Sequence, residues 1–160
     1  MLACEYGKGS SGNWNVIAYL ERIMMQSAED ERQIIALINR YATGLDTADW
    51  TLLRSCWADD VDVDYGTGQT WSSADAINAF MEQFHTGLTT MHMNTNFVIS
   101  DGAEGHATGR TYFRALLLRP DGSLFLRAAG WYNDSFVKMG SEWKISKRHV
   151  RMIAMEQGGT

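Results

Sequence analysis

The sequence predicts an α+β fold in which N-terminal helices are wrapped by a curved sheet of long strands. Apolar residues recur at helical spacing in the first half of the chain, and from residue 89 onward strand-like segments alternate with short turns. Helices followed by a meander of strands are typical of the α+β class. Since strands this long must curl, we expect a conical α+β barrel with an antiparallel or mixed sheet that encloses a deep pocket.

The helices are predicted from capping residues and apolar stripes. Residues 7–14 have a turn-like composition and residues 15–26 predict a short helix, so we interpret 1–26 as an N-terminal extension. Ser27, followed by three acidic residues, predicts the N-cap of a helix that ends at 44–47. A second helix is predicted over 48–57, and Ser72 and Ser73 predict the cap of a third. The barrel domain is assigned to 27–156 and a C-terminal tail to 157–160.

The strands are predicted from alternation and turn chemistry. The segment VDVDY (61–65) alternates strictly between apolar and acidic residues, as a half-buried strand does. Four longer strands are predicted over 90–99, 104–119, 123–138 and 142–154, because DG, PDG and MGS turns separate them. Gly109 and Gly130 are the expected bend points of these strands.

Composition and missing motifs exclude several classes of function. The net charge of −5 offers no basic field for a nucleic-acid backbone. There is neither an apolar run of 18 residues nor a secretory signal, so we expect a cytoplasmic protein with no membrane span. The histidine and cysteine spacings do not predict a metal site, and no nucleophile elbow, dinucleotide fingerprint or P-loop occurs.

Polar side chains interrupt the strand TTMHMNTNFVIS (89–100). By alternation His92, Asn94, Asn96 and Val98 share one face, and the opposite face from Met91 to Ile99 is apolar. The polar face can either meet water or line a cavity. The same rule places Arg151 on the face of Trp143 and Ile145 in the last strand, Asn133 with Trp131 in the third long strand, and Tyr112 with its neighbouring arginines in the second.

Asp46 has two possible roles, because it directly follows a predicted helix and precedes Thr47. It can cap the helix predicted over 48–57. Alternatively, it can face a histidine, where a carboxylate on one imidazole nitrogen fixes the tautomer and raises the basicity of the other. Such a dyad is a general base that works near neutral pH, but spacing alone does not decide whether Asp46 reaches His92.

The segments RYATGLDTADW (40–50), VDVDYG (61–66), TTMHMNTN (89–96), ATGRTYF (107–113) and KRHVRM (147–152) carry a family resemblance. Over roughly residues 28–154 the chain resembles the SnoaL-like branch of the nuclear transport factor two-like superfamily. Within it, the chain is similar to bile acid 7α-dehydratase and, more distantly, to scytalone dehydratase. The resemblance implies a conical barrel with a deep apolar pocket and no cofactor.

The resemblance also implies site residues. Two tyrosines of the bile acid enzyme are matched by Tyr41, which stands five residues before Asp46, and by Tyr65. The enzyme's histidine in an MHM triplet is matched by His92, and its arginine in the last strand is matched by Arg151. A further set is expected to contact the substrate, namely Asn94, Tyr112, Trp131 and Asn133.

The implied function is a dehydratase that acts on a hydrophobic cyclic substrate of the steroid-like, alicyclic or polyketide type. His92, polarised by Asp46, would take a proton next to a carbonyl; the tyrosines would donate to the developing oxyanion; and Arg151 would bind an anionic group or position the dyad. The alternatives are a polyketide cyclase, a ketosteroid-type isomerase, a dehydrohalogenase or the non-catalytic small subunit of a ring-hydroxylating oxygenase. We expect a homo-oligomer, with a trimer favoured over a dimer.

Overall fold

The computed structural model describes residues 11–159 and confirms the α+β class. The helices are α1 (Ser11–Asp46), α2 (Trp50–Ser55) and α3 (Ala74–His85). The strands are β1 (Trp57–Asp64), β2 (Thr70–Ser73), β3 (Thr89–Asp101), β4 (His106–Leu118), β5 (Leu124–Met139) and β6 (Glu142–Gln157). The short strand β2 was not predicted, and β1 begins four residues earlier than expected.

The strands form one curved, unclosed sheet in the order β2-β1-β6-β5-β4-β3. β1 runs parallel to β6, and every other neighbouring pair is antiparallel, so the sheet is mixed as expected. The helix α1 packs against β3 and β6, while α3 packs against β1 and β2. The site described below therefore lies between the helices and the inner, concave face of the sheet.

The predicted helix start at Ser27 is wrong, because α1 runs without interruption through this position. No proline or glycine separates residues 15–26 from the stripe that follows, so nothing forces a break. The Ser27 hydroxyl instead donates to Asp101 Oδ2 at 2.6 Å. Residues 1–10, where the turn-like segment begins, lie outside the described residues. The division into an extension and a barrel domain stays a prediction.

The caps of the two shorter helices are side-chain oxygens. Asp49, not Asp46, caps α2 by accepting from the Leu52 backbone N–H at 2.8 Å. Ser73 caps α3 by accepting from the Ala76 backbone N–H at 3.2 Å, as predicted. Asp46 is thereby free of a capping role.

β-Bulges in β3 and β6 change which residues face inward. In β3 the register shifts between Thr95 and Val98, so residues 90, 92 and 94 face inward before the bulge, and 97 and 99 face inward after it. In β6 the register shifts where Phe136 opposes Ile145 and Ser135 opposes Lys147. The predicted single alternation along β3 and along β6 is therefore wrong, because each extra residue reverses the parity that follows it.

The core is built from the apolar stripe of α1 and the inner residues of the sheet. Five buried side chains of the stripe repeat at helical spacing: Ile34, Leu37, Ile38, Tyr41 and Leu45. A second cluster of buried residues, which includes Phe113 and Tyr132, continues along β4 and β5. Among the described residues, no helix combines the length and the apolar character that crossing a membrane requires.

Candidate active site

Asp46 and His92 form a hydrogen-bonded pair at the junction of α1 and β3. His92 Nδ1 lies 2.7 Å from Asp46 Oδ1, and the His92 backbone N–H donates to Asp46 Oδ2 at 2.8 Å. The Thr90 hydroxyl donates to Asp46 Oδ1 at 2.9 Å. Because a carboxylate only accepts, Nδ1 carries the ring proton and Nε2 has a free lone pair. The pair therefore has the geometry of a general base.

The position of Asp46 is unusual for a helix, because it is the last residue of α1. The negative end of the helix dipole disfavours a carboxylate there. The donors from Thr90 and His92 compensate on the β3 side. Gly44 supports this arrangement, because a Cβ at that position would lie 3.0 Å from the Leu53 backbone nitrogen, so a side chain there would displace α2 by a few tenths of an ångström.

The Asp46 carboxyl is ionised at neutral pH. Burial raises the pKa of Asp46, but the hydrogen bonds from the His92 ring, the His92 backbone and Thr90 outweigh it and bring that pKa below its usual value. The carboxylate therefore keeps its charge beside the imidazole and stabilises an imidazolium when His92 takes up a proton.

Two phenols lie together in the same cavity. The hydroxyl oxygens of Tyr41 and Tyr65 are 2.6 Å apart, so one hydroxyl donates to the other and one O–H remains to donate elsewhere. Burial raises the pKa of Tyr41, and it raises that of Tyr65 well above the ordinary value. Both phenols thus remain protonated donors at neutral pH, as an oxyanion site requires.

A buried cation lies behind Tyr41. The Arg148 guanidinium is 4.3 Å from the Tyr41 ring centroid and 3.9 Å from that of Tyr132. It is fully buried and donates twice to the Asp134 carboxylate, at 2.9 and 2.7 Å. Burial opposes the charge, but Asp134 outweighs it and holds the pKa of Arg148 well above its ordinary value. Sequence reasoning missed Arg148, because the bulge in β6 exchanges the faces of the residues that follow it.

A cavity of about 240 Å³ joins the dyad to the phenols. Most of its wall is apolar, and among the described residues the lining contains no lysine, arginine, aspartate or glutamate. The polar members are His85, His92, Tyr41, Tyr65, Tyr132, Thr67, Gln69 and Gln157. The principal apolar members are Trp71, Phe80, Phe84, Phe113, Leu117, Leu126, Met152 and Met155.

His85 is a second histidine in this wall that sequence reasoning missed. It is the last residue of α3, it is 7% exposed, and its ring centroid lies 5.8 Å from that of His92. The signal was present in the sequence, because Ile77, Met81 and His85 recur every four residues on the buried stripe of α3.

The structure does not bring Arg151 into the cavity. Arg151 is exposed, while Val150 and Met152 face inward, because the extra residue in β6 reverses the alternation that had grouped Arg151 with Trp143. The placement of Arg151 beside the dyad is therefore wrong.

Three predicted substrate contacts lie on the outer face of the sheet. The Tyr112 and Trp131 ring centroids are 5.6 Å apart, and Asn133 Oδ1 accepts from Arg110 Nε at 2.9 Å. Alternation identified which residues share a face of the sheet, but not which face is concave. The residues that face the cavity are their neighbours in the chain, Phe113 and Tyr132. Asn94 does face inward, but its amide donates to the Ile38 carbonyl at 3.3 Å and it is not among the lining residues.

No group of three metal-ligating side chains suited to an ion occurs in the described part of the chain.

Comparisons with known proteins agree with this fold. The model of the SnoaL-like domain matches residues 26–149. The fold is similar to the protein named "Putative Scytalone Dehydratase" from Novosphingobium aromaticivorans, with 22% identity over 86% of this chain and 93% of that chain and a TM-score of 0.79. It is similar to the Kfla4162 protein of Kribbella flavida, with 25% identity over 81% of this chain and 95% of that chain and a TM-score of 0.73.

The fold is also similar to a hexachlorocyclohexane dehydrochlorinase, LinA type 2, with 18% identity over 86% of this chain and 91% of that chain and a TM-score of 0.71. The sequence matches none of the functionally curated proteins. The family match covers well over half of the chain, and the fold agrees with the resemblance seen in the sequence. The chain belongs to the SnoaL-like domain family of the nuclear transport factor two-like superfamily.

Proposed function

We propose that this protein is a dehydratase that removes water from a small cyclic hydroxy ketone without a cofactor. The observation that carries the proposal is the 2.7 Å contact between His92 Nδ1 and Asp46, made where the imidazole also lines an apolar cavity. In this position the dyad is placed to take a proton from an acidic C–H of a substrate that enters the cavity.

The first step is removal of a proton next to the carbonyl. His92 Nε2 takes the proton, and the Asp46 carboxylate stabilises the resulting imidazolium through Nδ1. The electron pair of the broken C–H bond moves onto the carbonyl oxygen and forms an enolate. Because the wall around the imidazole is apolar, the charge pair interacts more strongly than it would in water.

The enolate oxygen needs a donor, and the phenol pair supplies it. One hydroxyl of Tyr41 and Tyr65 donates to the other, and the remaining O–H donates to the oxyanion. A donor of this kind in an active site is worth about 10²–10³ in rate. The Arg148 cation stacked on the Tyr41 ring makes the phenol a stronger donor, because a nearby positive charge favours the phenolate form.

The second step expels the hydroxyl. The enolate electron pair returns to form the carbon–carbon double bond, the carbon–oxygen bond breaks, and the imidazolium gives its proton to the departing oxygen. One base thus serves as acceptor and donor, and the products are a conjugated enone and water. Since the same ring nitrogen acts twice, both groups must leave from the same face of the substrate ring.

The cavity favours a compact, neutral substrate. Its volume of about 240 Å³ lies below the range of about 300–1,000 Å³ that holds drug-sized ligands. A ring system with one or two rings suits this space better than a four-ring steroid does. The aromatic and methionine side chains of the wall provide the apolar contact.

The test is turnover of a panel of β-hydroxy ketones, from 3-hydroxycyclohexanone to 3-hydroxy-1-tetralone. Dehydration is followed by absorbance of the conjugated or aromatic product and by loss of one water in the mass spectrum. We expect His92→Ala and Tyr65→Phe to lower the rate, each by about 10² or more. His149→Ala, which removes a histidine paired with Asp62 outside the cavity, is the matched control and should retain full activity.

Full activity of His92→Ala would overturn the proposal. A product that retains its oxygen would assign the site to isomerisation or cyclisation, and loss of halide from a halogenated ring without dehydration would assign it to dehydrohalogenation. We further propose that the protein is a trimer whose subunits associate through the outer face of the sheet, where Met91, Met93 and Val98 are exposed.

A further inference from the structure

His85 lies in the wall of the cavity and has no part in the proton transfers described above. It is the last residue of α3, and its ring is enclosed by Phe84, Trp50 and His92, whose ring centroids are 5.3, 6.4 and 5.8 Å away. A buried polar side chain has to be hydrogen-bonded, or its desolvation costs free energy.

The hydrogen bonding of His85 determines its tautomer. Its Nδ1 lies 2.8 Å from the Met81 backbone carbonyl, one turn back in α3. Since a carbonyl only accepts, Nδ1 carries the proton. His85 lines the cavity, and its Nε2 is then a bare acceptor that no hydrogen bond reaches from the residues that the structure describes.

The charge state agrees with this tautomer. Burial lowers the pKa of His85 and outweighs the opposing hydrogen bond to the Met81 carbonyl; the nearby His92 lowers it further, and Asp46 has the smallest, opposing effect. The ring is neutral at pH 7, and it stays neutral when His92 is protonated, because two imidazolium rings this close repel each other. A neutral ring with Nδ1 bound to a carbonyl has no proton to give from Nε2.

We propose that His85 is a specificity-determining residue that accepts a hydrogen bond from a hydroxyl group of the substrate. The inference rests on the proposed function and adds a requirement to it. Of the groups near the dyad, the free phenol O–H is then a donor, and His92 Nε2 and His85 Nε2 are acceptors. A matching substrate has a carbonyl for the donor, an acidic C–H for His92 and a hydroxyl for His85.

The consequence is selection between leaving groups. A hydroxyl satisfies the lone pair of His85, whereas a halide or a hydrogen in its place leaves that acceptor buried and unpaired. A site with an unpaired buried polar group rejects the analogue that lacks the matching group. His85 would therefore favour dehydration over dehydrohalogenation, although the base step is the same in both.

Ligand binding tests the proposal without turnover. We would measure the affinities of 3-hydroxycyclohexanone and cyclohexanone by NMR titration of the Tyr65→Phe protein, in which both imidazoles keep their tautomers, the Tyr41 hydroxyl remains and catalysis is slow. We expect the hydroxylated ketone to bind about tenfold more tightly, the value of one net hydrogen bond. His85→Phe in the same background keeps the ring volume and should abolish the difference, while His85→Gln should restore part of it.

Equal affinities of the two ketones in the parent protein would overturn the assignment, as would an unchanged preference in His85→Phe. Failure of both ketones to bind would also overturn it, since the acceptor would then have no ligand of this class. Equal affinities, or an unchanged preference in His85→Phe, leave the proposed function intact, since that function is tested by turnover in His92→Ala. Loss of turnover there together with an unchanged preference in His85→Phe rejects the role of His85 alone.

A direct measurement of the tautomer is independent of any ligand. Long-range ¹H–¹⁵N correlation spectra of the native protein should show His85 protonated at Nδ1 and bare at Nε2. His85→Phe identifies the signals by their loss. A proton on Nε2 at pH 7 would make the ring a donor and overturn the proposal.

Discussion

Replacing Asp46 by asparagine tests the dyad without a change of shape. The carboxylate accepts three hydrogen bonds, at 2.7, 2.8 and 2.9 Å. An asparagine amide offers one oxygen, so it cannot accept from both the His92 backbone and the His92 ring. If its oxygen faces the backbone N–H, its NH₂ group faces Nδ1 and donates to it, which moves the ring proton to Nε2 and blocks the base.

The expected loss of rate follows from this change of tautomer. General-base catalysis is worth about 10²–10⁴ in rate, which corresponds to about 3–5.5 kcal/mol of activation free energy. The free energy of unfolding should fall by about 1.5–3 kcal/mol, because at least one hydrogen bond to a charged group is lost. The loss of rate should thus exceed the loss of stability, so Asp46→Asn remains folded while its activity nearly disappears.

The assay is exchange of the α-protons of 1-tetralone in D₂O, followed by NMR, because exchange reports the base step whatever group leaves later. The matched control is Asp62→Asn, which removes an exposed aspartate 3.1 Å from His149 Nε2 and should exchange at the rate of the native protein. Exchange by Asp46→Asn within about fivefold of the native rate would refute the reasoning, since general-base catalysis is worth more than that.

Three further predictions concern the charges and the outer face. Arg148→Met should lower the free energy of unfolding by about 3–5 kcal/mol in urea titrations, because the substitution leaves Asp134 buried without its partner. The control Arg127→Met, at an exposed ion pair, should change the free energy of unfolding by less than about 1 kcal/mol. Equal effects of the two substitutions would contradict the prediction. Since burial in the folded state lowers the pKa of His85 from 6.5, the free energy of unfolding should fall as the pH drops below 6.5. The urea midpoint of His85→Phe should fall less over the same pH range, because this variant has no imidazole to protonate there. Light scattering should give the mass of a trimer, and Met93→Glu, which places a charge on the outer face, should give monomers; a native monomer would reject the proposed assembly.

Local patterns determined the fold class and most of the elements. The turns between the long strands, the cap at Ser73 and the stripe of α1 each depend on neighbouring residues, so they can be read from one segment at a time. The resemblance to the family singled out Tyr41, Asp46, Tyr65 and His92, and the structure brings all four to one cavity or its edge. Their roles in catalysis remain proposals.

Tertiary structure decided what alternation could not. One extra residue in β3 and two in β6 reverse the inward parity, and the first of the two in β6 puts Arg148 rather than Arg151 behind the phenols. Period-two alternation also says nothing about which face of a sheet is concave, so Tyr112 was assigned to the wrong side. His85 needed the packing of α3 beside β3 before its role could be considered. The sequence by itself determined which chemical groups are available, whereas bulges, curvature and helix packing decided which of them share a cavity, because these features depend on contacts between residues far apart in the chain.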